Sequence, residues 1–407
     1  MIFQGEFKFD PNSLSPVSKM AFLDKDILIL NKNNGSVYKI INGRILDSPL
    51  LDVNVANERE RGLLGIATSN SDSKKYIFLY YTESKNSDGS DNCHNGYNCE
   101  AGTEPLGNRL YRYELKDNKL INPKLLLDLP ATPGPAHNGG AIQIGQDNNV
   151  YVTIGDLLGD YNKISSTKVQ NIQNGTNPDG RAGILRVTPD GSTVANGILG
   201  ADYPLNKYYA YGIRNSYGLD FDPLSGNLWD TENGPDYGDE INLIKPGFNS
   251  GWKVVQGIWK PVNGSADFAA GNEVLNPDNL LVDFEGKGHY GAPQFIWKTT
   301  VGPTAIKFLT SDKLGKKYQN DLFVGCFNLG AVFHFDLNKD RTKLELSGGL
   351  KDMIADSNEE FQNIIFAGGL GRITDIQVGP DGYMYILSGY EHKATIFRIA
   401  PANTEIN

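Results

Sequence analysis

Apolar and polar positions fall into one recurring arrangement along the chain. A short run of alternating aromatic and β-branched residues leads into a turn of Gly, Asn or Asp, and a second run of the same kind follows. Asp26–Ile40 is one such unit. KYIFLYYTES from Lys75 is answered by NRLYRYEL at Asn108, NNVYVTIGD from Asn148 by GILRVTPDG at Gly183, and GNLWDTENGP from Gly226 by DEINLI at Asp239. Asn320–Leu337 and Gly382–Ile399 complete a set of six. Turns such as GQDNN at Gly145, DPLSG at Asp222 and GPDG at Gly379 supply the left-handed positions that a tight hairpin needs. A hairpin cannot bury both of its faces alone, so the pattern predicts an all-β fold in which six units stack radially as a six-bladed β-propeller with long inter-strand loops. It would form a single domain over residues 1–407, and a double sandwich is the structural alternative. Spreading 407 residues over six units leaves about 68 for each, more than the ~40–50 of a minimal blade, and the surplus goes into loops.

Composition narrows the function. The chain has 46 Gly, 20 Pro, 20 Tyr and 18 Phe, as many turns and aromatic strands require. Lys and Arg total 38 against 48 Asp and Glu, and a net charge of -10 repels polyanions, so nucleic acid is not an expected partner. No apolar run reaches the ~20 residues of a membrane-spanning helix. Cys93 and Cys99 sit in a polar, glycine-rich insertion that a disulfide would order, with a metal site including His94 as the alternative. Cys326 stands in an apolar strand and reads as an inert core residue.

Loops at one end of a propeller converge, so the chemistry is sought there. His137 lies in PGPAHNGG just before a strand, and Asp156 ends the strand that follows, so a hairpin would return both to one rim. A histidine beside a carboxylate is an oriented general base; otherwise His137 is a turn residue bonded to backbone. Arg214 offers a fixed cation suited to a developing oxyanion, or else a structural ion pair. ENGPDYGDE gathers Glu232, Asp236, Asp239 and Glu240 in a turn, a hard-oxygen set that suits Ca²⁺, or a solvated acidic loop if no ion binds. There is no Walker loop, dinucleotide fingerprint or nucleophile elbow.

Together, ERGLLGIA at Glu60, HNGG at His137, VYVTIGD at Val150, YGIRNSYGLDFDP at Tyr211, ENGPDYGDEINLI at Glu232, NSGW at Asn249 and GPDGYMYILSG at Gly379 resemble the glucose/sorbosone dehydrogenase family. Its members are soluble aldose sugar dehydrogenases that use pyrroloquinoline quinone (PQQ) on a six-bladed propeller. The resemblance implies oxidation of an aldose at its anomeric carbon to the lactone, with electrons passed to an external acceptor. It implies that His137 is the base, that Asp156 supports it, and that Arg214 faces the quinone oxygen with Asn215 following. Backbone at Gly234 and Pro235 matches the active-site Ca²⁺ ligands, and Glu240 with Ser250 a second, structural calcium site. Glu60, Asn233, Thr300, Asn328 and Arg372 match cofactor-pocket positions. Ala141 stands where the family commonly has arginine, and Asn233 where Gln or His is usual. Asn328 and Thr374 stand where a lysine and a second arginine commonly meet the cofactor's carboxylates. Each missing charge-assisted contact costs roughly 1–3 kcal/mol of affinity. A second expectation is therefore a non-catalytic propeller that keeps the calcium sites and has lost PQQ. No leader is visible at Met1; the cysteine pair and the resemblance imply an extracytoplasmic location.

Overall fold

The computed structural model describes residues 2–8, 16–70, 74–85, 104–158, 167–263, 268–274, 276–389 and 394–401. The expected Cys93–Cys99 pair lies outside them. The chain is all-β, and the one α-helix among the described residues, Asn358–Ile364, has two turns and a Ser357/Glu360 capping box. None of their helices is long and apolar enough to cross a membrane.

Each of the six predicted hairpins forms as two antiparallel neighbours within its own sheet. In chain order they are Asp26–Asn31 with Ser36–Ile41, Lys75–Ser84 with Pro105–Lys116, Val150–Ile154 with Gly183–Val187, Leu228–Glu232 with Tyr237–Ile244, Leu322–Cys326 with Val332–Phe335, and Met384–Ser388 with Thr395–Ala400. On one side of each pair lies a further strand: Val17–Leu23, Leu63–Asn70, Ile142–Ile144, Ser216–Phe221, Pro303–Phe308 and Ile373–Val378. These six strands touch one another in chain order, and the last touches the first.

Apolar clusters fill the gaps between neighbouring sheets. Leu28, Leu30 and Val37 of the first sheet meet Ile77, Leu79 and Tyr81 of the second. Trp229 and Trp297 of the fourth meet Phe308, Leu322 and Phe333 of the fifth, and Leu387 and Ile396 of the sixth return to Met20 and Ile29 of the first. Sheets packed on both faces need strands apolar at successive positions, which is why VYVTI and LFVGC are buried throughout. Cys326 belongs to such a strand, and burial pushes its thiol up, as expected of an inert core residue.

One pairing has no counterpart in the sequence reading. Ile2–Lys8 runs antiparallel to Thr395–Ala400, so the chain's first strand completes its last sheet.

Candidate active site

Five of the six contact-ring strands are interrupted at the same end by a bulge. Leu64, Tyr217, Thr304 and Thr374 each occupy an extra position between paired neighbours, and Ser18 and Lys19 do so in the first sheet. A bulge turns a side chain out of the pleat, and all six of these residues line a single cavity of about 340 Å³. That lies within the ~300–1,000 Å³ typical of small-molecule sites.

In the third sheet the loop before Ile142–Ile144 takes the place of a bulge. Because Ile142 pairs with Val152, the loop residues 137–141 lie beside Gly155 and Asp156, as the hairpin predicts. His137 adopts φ 59°, a left-handed conformation that a non-glycine residue holds only when its surroundings impose it. Glu60 is one source of that constraint: its Oε2 accepts the His137 backbone N–H at 2.7 Å and the Tyr217 hydroxyl at 2.6 Å. Gly155 is another, since a Cβ there would stand 2.5 Å from the His137 carbonyl oxygen and 2.7 Å from that of Arg214.

The imidazole Nδ1 lies 2.7 Å from Asp156 Oδ1, and Asp156 Oδ2 accepts the Trp252 indole N–H at 2.8 Å. Burial pushes the Asp156 carboxyl up, but the charge and hydrogen bond of His137, with Lys253 and Arg214 beyond, outweigh it and hold the group at about 2. Trp252 reaches the site because Phe248–Asn249 pairs in parallel with Tyr208–Tyr211, carrying the NSGW segment to the end where Arg214 begins its own sheet. The Arg214 guanidinium stands over the Trp252 ring, 5.4 Å from its centroid, and donates to the carbonyls of Asn233 at 3.0 Å and Gly234 at 2.8 Å.

The cavity thus brings together Glu60, His137, Arg214, Asn215, Asn233, Asn328 and Arg372 from the sequence-predicted set, along with Thr374. Asp156 stands behind His137. Thr300 lies outside the lining, which Gly302 and Thr304 supply instead. Lys19, Lys32 and Tyr217 were not foreseen. For Lys19 and Tyr217 the one sequence signal is the broken alternation at the bulges, in SKMAF and NSYGL; Lys32 carries none. The other described histidines, His289 and His334, stand elsewhere, and His334 is bonded to Asp321.

Gly234, Pro235, Glu240 and Ser250 form a second layer behind the cavity. Asp239 fastens it, accepting the Gly234 N–H on Oδ1 and those of Val301 and Gly302 on Oδ2. Asp236 is exposed and takes no part. The Ser250 hydroxyl lies 2.6 Å from Glu232 Oε2 and 3.4 Å from Glu240 Oε2. Burial pushes the carboxyls of Asp230, Glu232 and Glu240 up, Asp230 to about 7 and Glu240 to about 8, and the two glutamates also feel a neighbouring acid. None of the three makes an ion pair with a described lysine or arginine. Both Asp230 oxygens, Asn242 Oδ1 and Gln256 Oε1 are buried without a hydrogen-bond partner.

The family described as Glucose / Sorbosone dehydrogenase matches residues 14–398. Quinoprotein glucose dehydrogenase B of Acinetobacter calcoaceticus is 32% identical over 334 residues, covering 69% of this chain and 64% of that protein. Aldose sugar dehydrogenase YliI of Escherichia coli is 29% identical over 202 residues, covering 48% of this chain and 44% of that protein. The chain therefore aligns with less than two thirds of either relative's length. Its fold is similar to that of the PQQ-bound aldose sugar dehydrogenase of Streptomyces coelicolor, with a TM-score of 0.63 over 95% of this chain and 96% of that one at 21% identity. A family match spanning nearly every described strand, with four of the seven sequence motifs contributing to the lining of one cavity, places this chain in the glucose/sorbosone dehydrogenase family.

Proposed function

We propose that the protein is a PQQ- and Ca²⁺-dependent aldose dehydrogenase on a six-bladed propeller, oxidising sugars at the anomeric carbon and passing electrons to an external acceptor. The observation that carries this reading is the orientation of His137. Its Nδ1 is held by Asp156 and its backbone by Glu60, in a cavity that also receives the Arg214 guanidinium.

The residues present fit the cofactor. Asn215 Oδ1, Asn233 Oδ1 and Thr374 Oγ1 are buried at the cavity without a hydrogen-bond partner, which leaves them available to a polar ligand. Lys19, Lys32, Arg214 and Arg372 outnumber the one carboxylate of the lining, Glu60, as a tricarboxylate requires. The buried carboxylates of Asp230, Glu232 and Glu240 with the Ser250 hydroxyl offer hard oxygen ligands to a divalent cation, and the backbone carbonyls of Gly234 and Pro235 would hold the active-site ion. When bound, PQQ supplies the hydride-accepting quinone, and Ca²⁺ its Lewis-acid polarisation.

With Asp156 accepting the proton on Nδ1, His137 keeps the Nε2 lone pair for the proton of the sugar's anomeric hydroxyl, and the carboxylate stabilises the imidazolium that results. Arg214, fixed on two carbonyls and the Trp252 ring, presents positive charge where negative charge develops, at no cost of reorganisation. The resemblance also favours an extracytoplasmic location. A non-catalytic module is the less favoured reading, because a protein without this chemistry has no use for a strained His137 and the contacts that hold it.

Purified protein given PQQ and Ca²⁺ is expected to reduce a dye in a sugar-dependent way, and His137→Ala to abolish turnover with the circular dichroism spectrum unchanged. Full activity in that variant would sink the mechanism. Chelation is expected to lower Tm, and Ca²⁺ at about 100 times its Kd to restore roughly 2.7 kcal/mol.

A further inference from the structure

We infer that Lys32 supplies, from the first sheet, positive charge to the carboxylates of the bound quinone, replacing what Asn328 and Thr374 on the fifth and sixth sheets do not provide. This rests on the function proposed above.

The four cations of the cavity are differently engaged. Lys19 donates to the carbonyls of Tyr217 and Thr304 and faces the Asp375 carboxylate. Arg214 is fixed on two carbonyls beside His137. Arg372 lies over the Phe327 ring, 4.8 Å from its centroid. The Lys32 ammonium meets only neutral oxygens, Asn33 Oδ1 at 2.8 Å and the Asn57 carbonyl at 3.5 Å, and no carboxylate stands within ion-pairing distance. It is nevertheless 4% exposed. A buried ammonium is costly when its nearest counter-charge, here the Glu60 carboxylate across the cavity, lies beyond ion-pairing distance.

Its placement is built. Lys32 N–H donates to the Pro16 carbonyl, its own carbonyl accepts from Leu63, and a Cβ at Gly62 would stand 2.9 Å from Lys32 Cγ. The stem is thus held against the second sheet while the head reaches the cavity. The first sheet adjoins the sixth, where Val17–Leu23 touches Ile373–Val378, so Lys32 stands on the sheet next to Thr374 and Arg372.

Burial lowers the Lys32 ammonium to about 7, against the pull of Glu60. Besides Glu60, the titratable groups sharing its cavity are Lys19, His137, Arg214, Tyr217 and Arg372. An incoming carboxylate favours the ammonium, so affinity for the quinone should fall as pH rises above about 7.

The test is titration of the Ca²⁺-loaded protein with PQQ, followed by cofactor absorbance. Wild type should bind saturably, Lys32→Gln about 10- to 100-fold more weakly and without the fall above pH 7, and Lys32→Arg within a few-fold of wild type without that fall. Equal affinity in wild type and Lys32→Gln overturns the inference while leaving the proposed function standing. Absence of saturable binding by wild type overturns both. Should Lys32→Gln not fold, the wild-type profile decides, and an affinity constant from pH 6 to 9 overturns the inference.

Discussion

At the scale of single residues, the site depends on Asp156. Its carboxyl is held near 2 in the folded protein and titrates near 3.9 in an unfolded chain. A depressed value means the folded state binds the proton less readily. The group's contribution is therefore present above about pH 4 and lost as pH falls toward 2, to the extent of roughly 2 kcal/mol. Acid unfolding of wild type and Asp156→Asn should show it: the wild-type advantage at pH 5 should shrink toward pH 2. The same variant should cut kcat by roughly 100- to 10,000-fold, because an amide N–H aimed at Nδ1 moves the imidazole proton to Nε2 and removes the base. A kcat within threefold of wild type would show that the carboxylate does not orient the ring. His137 and Asp156 were legible because residue type and hairpin spacing together imply a shared rim, whereas Arg214 was placed with them only by the family resemblance. Lys32 was not, because a lysine between two asparagines at a strand end reads as a solvated turn, and only packing against the neighbouring sheet makes it buried.

At the scale of elements, the bulges decide which side chains reach the cavity. The hairpins could be read from alternation and turn chemistry, since both are local. The contact-ring strands are harder to read, because the bulge disturbs the period that would announce them; Ile142–Ile144 has only three residues. Gly65, one position beyond the Leu64 bulge, shows how closely neighbouring sheets approach: a Cβ there would fall 1.9 Å from the Gly140 carbonyl oxygen. Gly65→Ala must displace the HNGG loop. It should destabilise the protein by about 1–3 kcal/mol in urea unfolding and weaken PQQ binding together with it. Unchanged stability would mean that the two sheets separate freely at that point.

At the scale of the whole molecule, Lys19 ties the centre. Its ammonium joins the first sheet to bulge carbonyls of the fourth and fifth and to Asp375 of the sixth. Lys19→Met leaves Asp375 buried without its cation and should cost about 3–5 kcal/mol, read as a fall in Tm that Lys19→Met/Asp375→Leu partly reverses. A lack of recovery in the double variant would assign the ammonium's value to the carbonyls alone. The sheets were legible one by one, but no local pattern links residue 19 to residues 217, 304 and 375. The same holds for residues 2–8 and 395–400, and there it bears on biosynthesis. With Ile2–Lys8 laid against Thr395–Ala400, a polypeptide still leaving the ribosome lacks the partner for the earlier strand, which waits as an unmatched edge until the later one has been made.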